Sequence, residues 1–233
     1  LRADRVPPAP PRPAPGAPRA YRFPAVERRT LPNGLRLVVA STHKLPVVSV
    51  TAVLDAGATV EPEGQDGVAA LVARALTEGA GDRDGGALAL FADVLVRPAF
   101  PEREVERLRQ ERLADLLHLQ TDPRGLAEHA FARAVYSGAS RYARPEGGDR
   151  AAVERLDVAA VRAFHAARFR PERALFVLAG DVTAADAERL VGAAFADWAP
   201  GDAAATAPRP IAGAIDAATL GRAAADTRRT ILV

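Results

Sequence analysis

The 233-residue chain has no cysteine, which excludes a disulfide framework, a thiolate metal site and a cysteine nucleophile together, while leaving the redox compartment open. Any metal would have to be held by carboxylate and imidazole, and the histidines number four: His43, His118, His129 and His165. Methionine is absent as well, and a chain that opens on Leu1 without a start residue is expected to have lost upstream sequence. Lysine occurs once, at Lys44, so 31 basic residues against 29 acidic ones is almost entirely arginine against Asp and Glu; a net charge of +2 does not imply nucleic acid. Long apolar runs are missing too. Ala174 to Gly180 falls far short of the roughly 18 residues that a membrane helix needs, so no membrane span is expected. Aromatics are scarce at 5%, but 48% hydrophobic residues are enough to bury a core.

The residues that are present divide into three stretches. Residues 1–20 carry seven prolines between Pro7 and Pro18 and almost no large apolar side chains, a composition suited to an extended linker. A domain is expected over 21–200. Residues 201–233 are Ala-rich and weakly patterned, ending in Thr230-Ile231-Leu232-Val233, which reads as the start of a strand cut short.

Within the domain, Val26–Leu31 and Leu35–Ala40 flank Pro32-Asn33-Gly34, an Asn-Gly hairpin signal. Val47–Asp55 alternates as a half-buried strand should. Val68, Leu71, Val72, Ala75 and Leu76 then recur at helical spacing, with Gly79 and Gly81 as the stop. Further helices are expected over Ala87–Val96, from Pro101 to about Thr121, and from Arg124 to Tyr136, followed by a loop over Ser137–Arg150. Asp157 caps a helix that Pro171 stops; Ala174–Ala179 suits a strand buried on both faces; Thr183 and Asp186 open a helix through Trp198 with a stripe of Leu190, Val191, Ala194, Phe195 and Trp198. Early strands, intervening helices and a late buried strand indicate an α+β fold, with helices packed on one side of a mixed, mostly antiparallel sheet.

Chemistry is thinly signposted. Gly125-Leu126-Ala127-Glu128-His129 is one substitution from the His-x-x-Glu-His helix that grips zinc, but with glycine in the first place one ligand is missing and the site cannot close. There is no Gly-x-Ser-x-Gly elbow, phosphate loop or dinucleotide fingerprint. Ordinary, partly exposed side chains account for the histidines.

The order of short motifs says more than any one of them. Leu31-Pro32-Asn33-Gly34-Leu35-Arg36, Asp55-Ala56-Gly57-Ala58 leading to Gly67-Val68-Ala69, Arg97-Pro98-Ala99-Phe100, Asp122-Pro123 with Ala130-Phe131, Phe164-His165 with Arg170-Pro171, and Ala179-Gly180-Asp181-Val182 run in this order over residues 26–200. In that order they resemble the pitrilysin/insulinase family of zinc metallopeptidases, which includes the processing peptidases. The resemblance implies an incomplete metallopeptidase half-domain of the processing-peptidase type, and it lacks an excursion that the family carries after the position of Asp84. It places the family's two imidazole ligands at Ala70 and Arg74 and its glutamate base at Ala73, and all three are lost. The third ligand matches Asp115, beside Leu108 and Leu119, where it can face inward. The helical spacing independently turns Ala70, Ala73 and Arg74 away from the core-facing stripe.

The resemblance and the lost ligands together imply a non-catalytic domain or subunit that supports the clamshell and substrate binding of a catalytic partner, with no catalytic residue, no metal ligand set and no cofactor of its own; zinc belongs to the partner. A heterodimer with a catalytic subunit and an exported or periplasmic location are the accompanying expectations, with a peptide as substrate. Two alternatives stay open at this point. One is a zinc peptidase working through an unorthodox site at Asp115, His118 or His129. The other is a peptide-binding scaffold in which Arg74 grips acidic peptides, as a guanidinium can.

Overall fold

The computed structural model describes residues 25–76, 86–136 and 140–201, with Gly16 and Gly138. The linker expected over 1–20, the stop at Gly79 and Gly81, the missing excursion and the Ala-rich 202–233 lie outside the described residues. The elements run β1 (Val26–Thr30), β2 (Arg36–Ser41), β3 (Val48–Leu54), α1 (Val68–Ala75), α2 (Ala87–Val96), α3 (Glu102–Leu119), α4 (Pro123–Val135), α5 (Arg150–Arg155), α6 (Val158–Arg168), β4 (Ala174–Gly180) and α7 (Ala184–Ala194), with short 3-10 turns at Ala58–Val60, Arg141–Ala143 and Pro171–Arg173.

The four strands form one sheet in the order β1-β2-β4-β3. β1 and β2 are the antiparallel hairpin, turned by Gly34 at φ +87° with Asn33 Oδ1 accepting from the Leu35 amide at 3.2 Å. β4 lies parallel to β2 and antiparallel to β3, so the sheet is mixed and mostly antiparallel. The register aligns Leu37, Phe176 and Ala52 on one row and Val39, Leu178 and Val50 on the next, all on the face that the helices cover. Against that face pack Val68, Leu71, Val72 and Ala75 of α1, Val161 and Phe164 of α6 and Val191 of α7, with Phe91 of α2 and the aromatic trio Phe176, Phe195 and Trp198 closing the centre. Fold class and one-sided helix packing are therefore as expected from the sequence.

Three local expectations are corrected, and one element is new. β4 is central, yet only Ala174, Phe176 and Leu178 are buried; Leu175 and Val177 are half-buried because among the described residues the helices cover one face alone. α7 ends at Ala194 instead of reaching Trp198. Phe195 and Trp198 turn back into the core because Trp198 Nε1 donates to the Phe169 carbonyl at 3.0 Å and Asn33 Nδ2 donates to the carbonyls of Phe195 and Trp198 at 3.2 and 3.3 Å. Leu190 lies on the outside, 44% exposed. α5 went unforeseen: a short helix capped by Asp149, whose carboxylate accepts the Ala152 amide at 2.8 Å, and whose Ala152 and Val153 are buried.

Replacing Phe176, which is fully buried among Phe91, Phe195 and Trp198, by alanine is expected to cost about 3–5 kcal/mol in a urea melt. Leu190→Ser, outside the core, is expected to stay within about 0.5 kcal/mol of the parent.

Candidate functional site

The surface between α1 and α3 is built from a buried carboxylate. α1 starts at Gly67, at φ +95°, where a Cβ would come within 2.7 Å of the Gly147 carbonyl oxygen; Gly148, at φ +74°, would collide with the Asp66 carbonyl oxygen at 2.1 Å. The two loops interlock so closely that glycine alone fits. The first amides of α1 would be left without partners there, and Glu61 supplies them. Its side chain is wholly buried, and Oε1 accepts the amides of Gly67 and Ala69, each at 3.0 Å. A negative charge at the positive end of a helix is also favourable in itself.

The other carboxylate oxygen of Glu61 accepts from the Arg141 guanidinium. Arg141, nearly buried, also donates to the carbonyls of Ala58 at 2.6 Å and Arg144 at 3.0 Å, while Arg144 pairs with Asp66 at 2.8 Å. Two carboxylates and two guanidiniums thus tie the N-terminus of α1 to the 140–148 loop, which in the case of Glu61 and Arg141 lies 80 residues away along the chain. Sequence reasoning missed this cluster. Its only signal was a glutamate six residues before Gly67, the cap position of α1, where no Ser, Thr, Asp or Asn stands.

The buried stripe of α1 turns Ala70, half-buried, and Ala73 and Arg74, exposed, outward toward α3. Arg74 spans the gap: one guanidinium nitrogen lies 3.1 Å from Glu111 Oε2 and the other 3.9 Å from Asp115 Oδ2. Glu111 also pairs with Arg107, which holds Glu104 at 2.7 Å. Asp115 does come beside Arg74 of α1, but it faces outward and its side chain is 58% exposed, not inward-facing. Outward placement follows from the helix period, because Val105, Leu108 and Leu116 take the buried side of α3. Beneath Arg74 lies a pocket of about 20 Å³ floored by Leu71 and Leu108, room for about one water.

The histidines are scattered. His43 Nδ1 lies 2.6 Å from Asp181 in an exposed pair; His118 is exposed on α3; His129 is on α4, and Glu128 of the same segment pairs with Arg124 at 3.2 Å. His165 is the exception, being structural: Nε2 donates to the Leu95 carbonyl at 2.9 Å, and the ring stacks on Phe169 and meets the edge of Phe100. Burial holds its pKa below the ordinary value; the Leu95 carbonyl pulls the other way and Arg170 adds to the lowering. Among the described residues, no three His, Asp or Glu side chains converge as a metal would require.

Residues 155–222 match the sequence model of the peptidase M16 inactive domain. No curated protein sequence matches the chain. In structure the chain is similar to a peptidase M16 inactive domain from Pseudomonas fluorescens, at TM-score 0.71 and 23% identity over 80% of this chain and 54% of that one. It is similar to a protease from Helicobacter pylori, at TM-score 0.72 and 19% identity over 83% and 55% of the two chains. It is similar also to the first half of the periplasmic protease PqqL from Escherichia coli, at TM-score 0.65 and 18% identity over 80% and 49%. The chain spans about half the length of these structures. The resemblance read from the sequence is borne out: the fold is that of M16 structures, and the chain is M16-like, similar to the family's inactive domain.

Two outcomes are expected. Glu61→Ala leaves Arg141 buried without its carboxylate and strips two helix amides, so chemical denaturation is expected to show a loss of about 3–5 kcal/mol, against at most about 1 kcal/mol for Arg74→Ala, whose pair is exposed. His165 binds its proton less readily folded than unfolded, so its contribution is complete above the unfolded value of 6.5 and is lost as pH falls through the lower folded value. Stability measured from neutral pH down to about pH 5 is expected to fall less steeply in His165→Gln than in the parent.

Proposed function

We propose that this M16-like chain is a non-catalytic domain or subunit of an insulinase/pitrilysin-like zinc metalloendopeptidase, supporting the clamshell and the substrate contacts of a catalytic partner. The observation that carries this reading is Arg74. In the resemblance it stands where an imidazole ligand belongs, and its guanidinium lies between Glu111 and Asp115 at 3.1 and 3.9 Å. A guanidinium keeps its proton and has no lone pair to give a metal. It also places a fixed positive charge beside the carboxylate that would serve as third ligand. Ala70 and Ala73 contribute only methyl groups. Catalytic zinc takes three protein ligands and an open position, so the residues here do not fit zinc.

On this reading the zinc and the general base come from a domain with an intact His-x-x-Glu-His helix, in the same polypeptide or in a heterodimer of the processing-peptidase type. The pairing is supported by the chain's covering only about half the length of the proteases it is similar to. The Escherichia coli protease is periplasmic, and an exported location for this chain rests on that analogy; no helix among the described residues is long and apolar enough to cross a membrane. The scaffold alternative is disfavoured because Arg74 already holds Glu111, and an acidic peptide would have to displace that carboxylate.

Titration of the chain with zinc in a calorimeter is expected to show no tight stoichiometric site, and the chain alone is expected to cleave peptides no faster than background. Chelator-sensitive cleavage by the isolated chain that disappears in Asp115→Ala would overturn the proposal in favour of an unorthodox active site.

A further inference from the structure

α4 is a helix with little of its own to hold it. Of its thirteen residues only Gly125 is buried, and an isolated helix of about that length is marginal in water, so helices of this size rely on packing of an apolar face. Its start is secured: Asp122 accepts the amides of Arg124 and Gly125 at 3.1 and 3.0 Å, and Gly125 sits so close to Leu119 that a Cβ would come within 2.5 Å of that side chain. Past this junction α3, α4 and the 145–150 loop leave an open groove of about 470 Å³.

The groove has a chemical character. Leu116 and Leu119 of α3 face Leu126 and Ala130 of α4 across it, and His129 and Arg133 stand on the same α4 face, since positions 126, 129, 130 and 133 are spaced i, i+3, i+4 and i+7. Leu126 is 46% exposed. Of the charged groups that line it, the one carboxylate, Asp149, is engaged in capping α5, and Arg150 is held by Glu154 at 2.7 Å. Neither His129 nor Arg133 has a hydrogen bond or ion pair among the described residues. An apolar floor with the uncommitted Arg133 guanidinium on its α4 edge matches an apolar helix face bordered by carboxylates, the helix-in-groove mode of recognition.

We propose that this groove docks an amphipathic helix of a partner protein whose apolar stripe is flanked by acidic residues, lying against α4 as a third helix beside α3. The proposal goes beyond the supporting role above and does not depend on which metal site the partner has.

The probe is a synthetic fluorescein-labelled helix with leucines at i, i+3, i+4 and i+7 flanked by glutamates, titrated with the whole chain and read by fluorescence anisotropy. Binding is expected, and about tenfold weaker for Arg133→Glu, for Leu126→Asp, and for the same peptide with lysines in place of the glutamates. Both substituted positions are exposed, so circular dichroism is expected to match the parent and to separate lost binding from lost folding. No binding, or equal binding of the glutamate and lysine peptides, overturns the proposal. Self-association of the parent in sedimentation that Leu126→Asp abolishes also overturns it, since a second copy then covers the groove, as does Arg133-dependent binding to anionic lipid vesicles without peptide binding.

Discussion

The Glu61 carboxylate is the constraint on which the face between α1 and α3 depends. It is buried, it closes the amide end of α1, and it answers the guanidinium of Arg141, so one side chain satisfies a helix terminus and neutralises a second buried charge. Neither group tolerates the loss of the other, because an ion left alone in a poorly solvated place costs far more than the pair gains. The interlocked glycines then allow the two backbones to approach until Glu61 and Arg141 can meet. Everything α1 displays outward is a consequence of that anchoring together with the core stripe on its inner side.

Arg74 contributes in a different way. Its pairs with Glu111 and Asp115 join α1 to α3, but they lie in solvent, and exposed pairs of this kind add little to stability. The two helices therefore keep their mutual position through Val68, Leu71, Leu108 and the buried acid–base cluster. The guanidinium then acts as a local charge balance for α3, a helix whose outer side is crowded with carboxylates and arginines.

Much of the secondary structure was legible because its causes are local. Asn33-Gly34 turns a hairpin, Asp157 and Thr183 cap helices through their own side chains, and the 3.6-residue spacing of Val68, Leu71, Val72 and Ala75 marks the buried side of α1. The outward direction of Ala70, Ala73 and Arg74 was readable for the same reason. Where reading failed, a distant partner decided. Phe195 and Trp198 keep the helical spacing of α7, yet Asn33 and the Phe169 carbonyl draw them out of the helix. Asp115, which the sequence allowed to face inward, differs: the helix period itself gives that side of α3 to Leu108 and Leu116.

Composition and pattern by themselves determined that this chain builds an α+β domain with helices on one side of the sheet, that no thiolate site exists, and that α1 turns two methyl groups and a guanidinium, those of Ala70, Ala73 and Arg74, away from its core-facing stripe. These are properties of residue identity and of spacing within a few residues. Only the tertiary structure decided that Arg74 meets Glu111 and Asp115, that Glu61 finds Arg141 across 80 residues, and that α4 stands over an open groove. Those outcomes arise from packing, which brings together side chains that have no relation along the chain and chooses, for each charged group, between a partner and solvent.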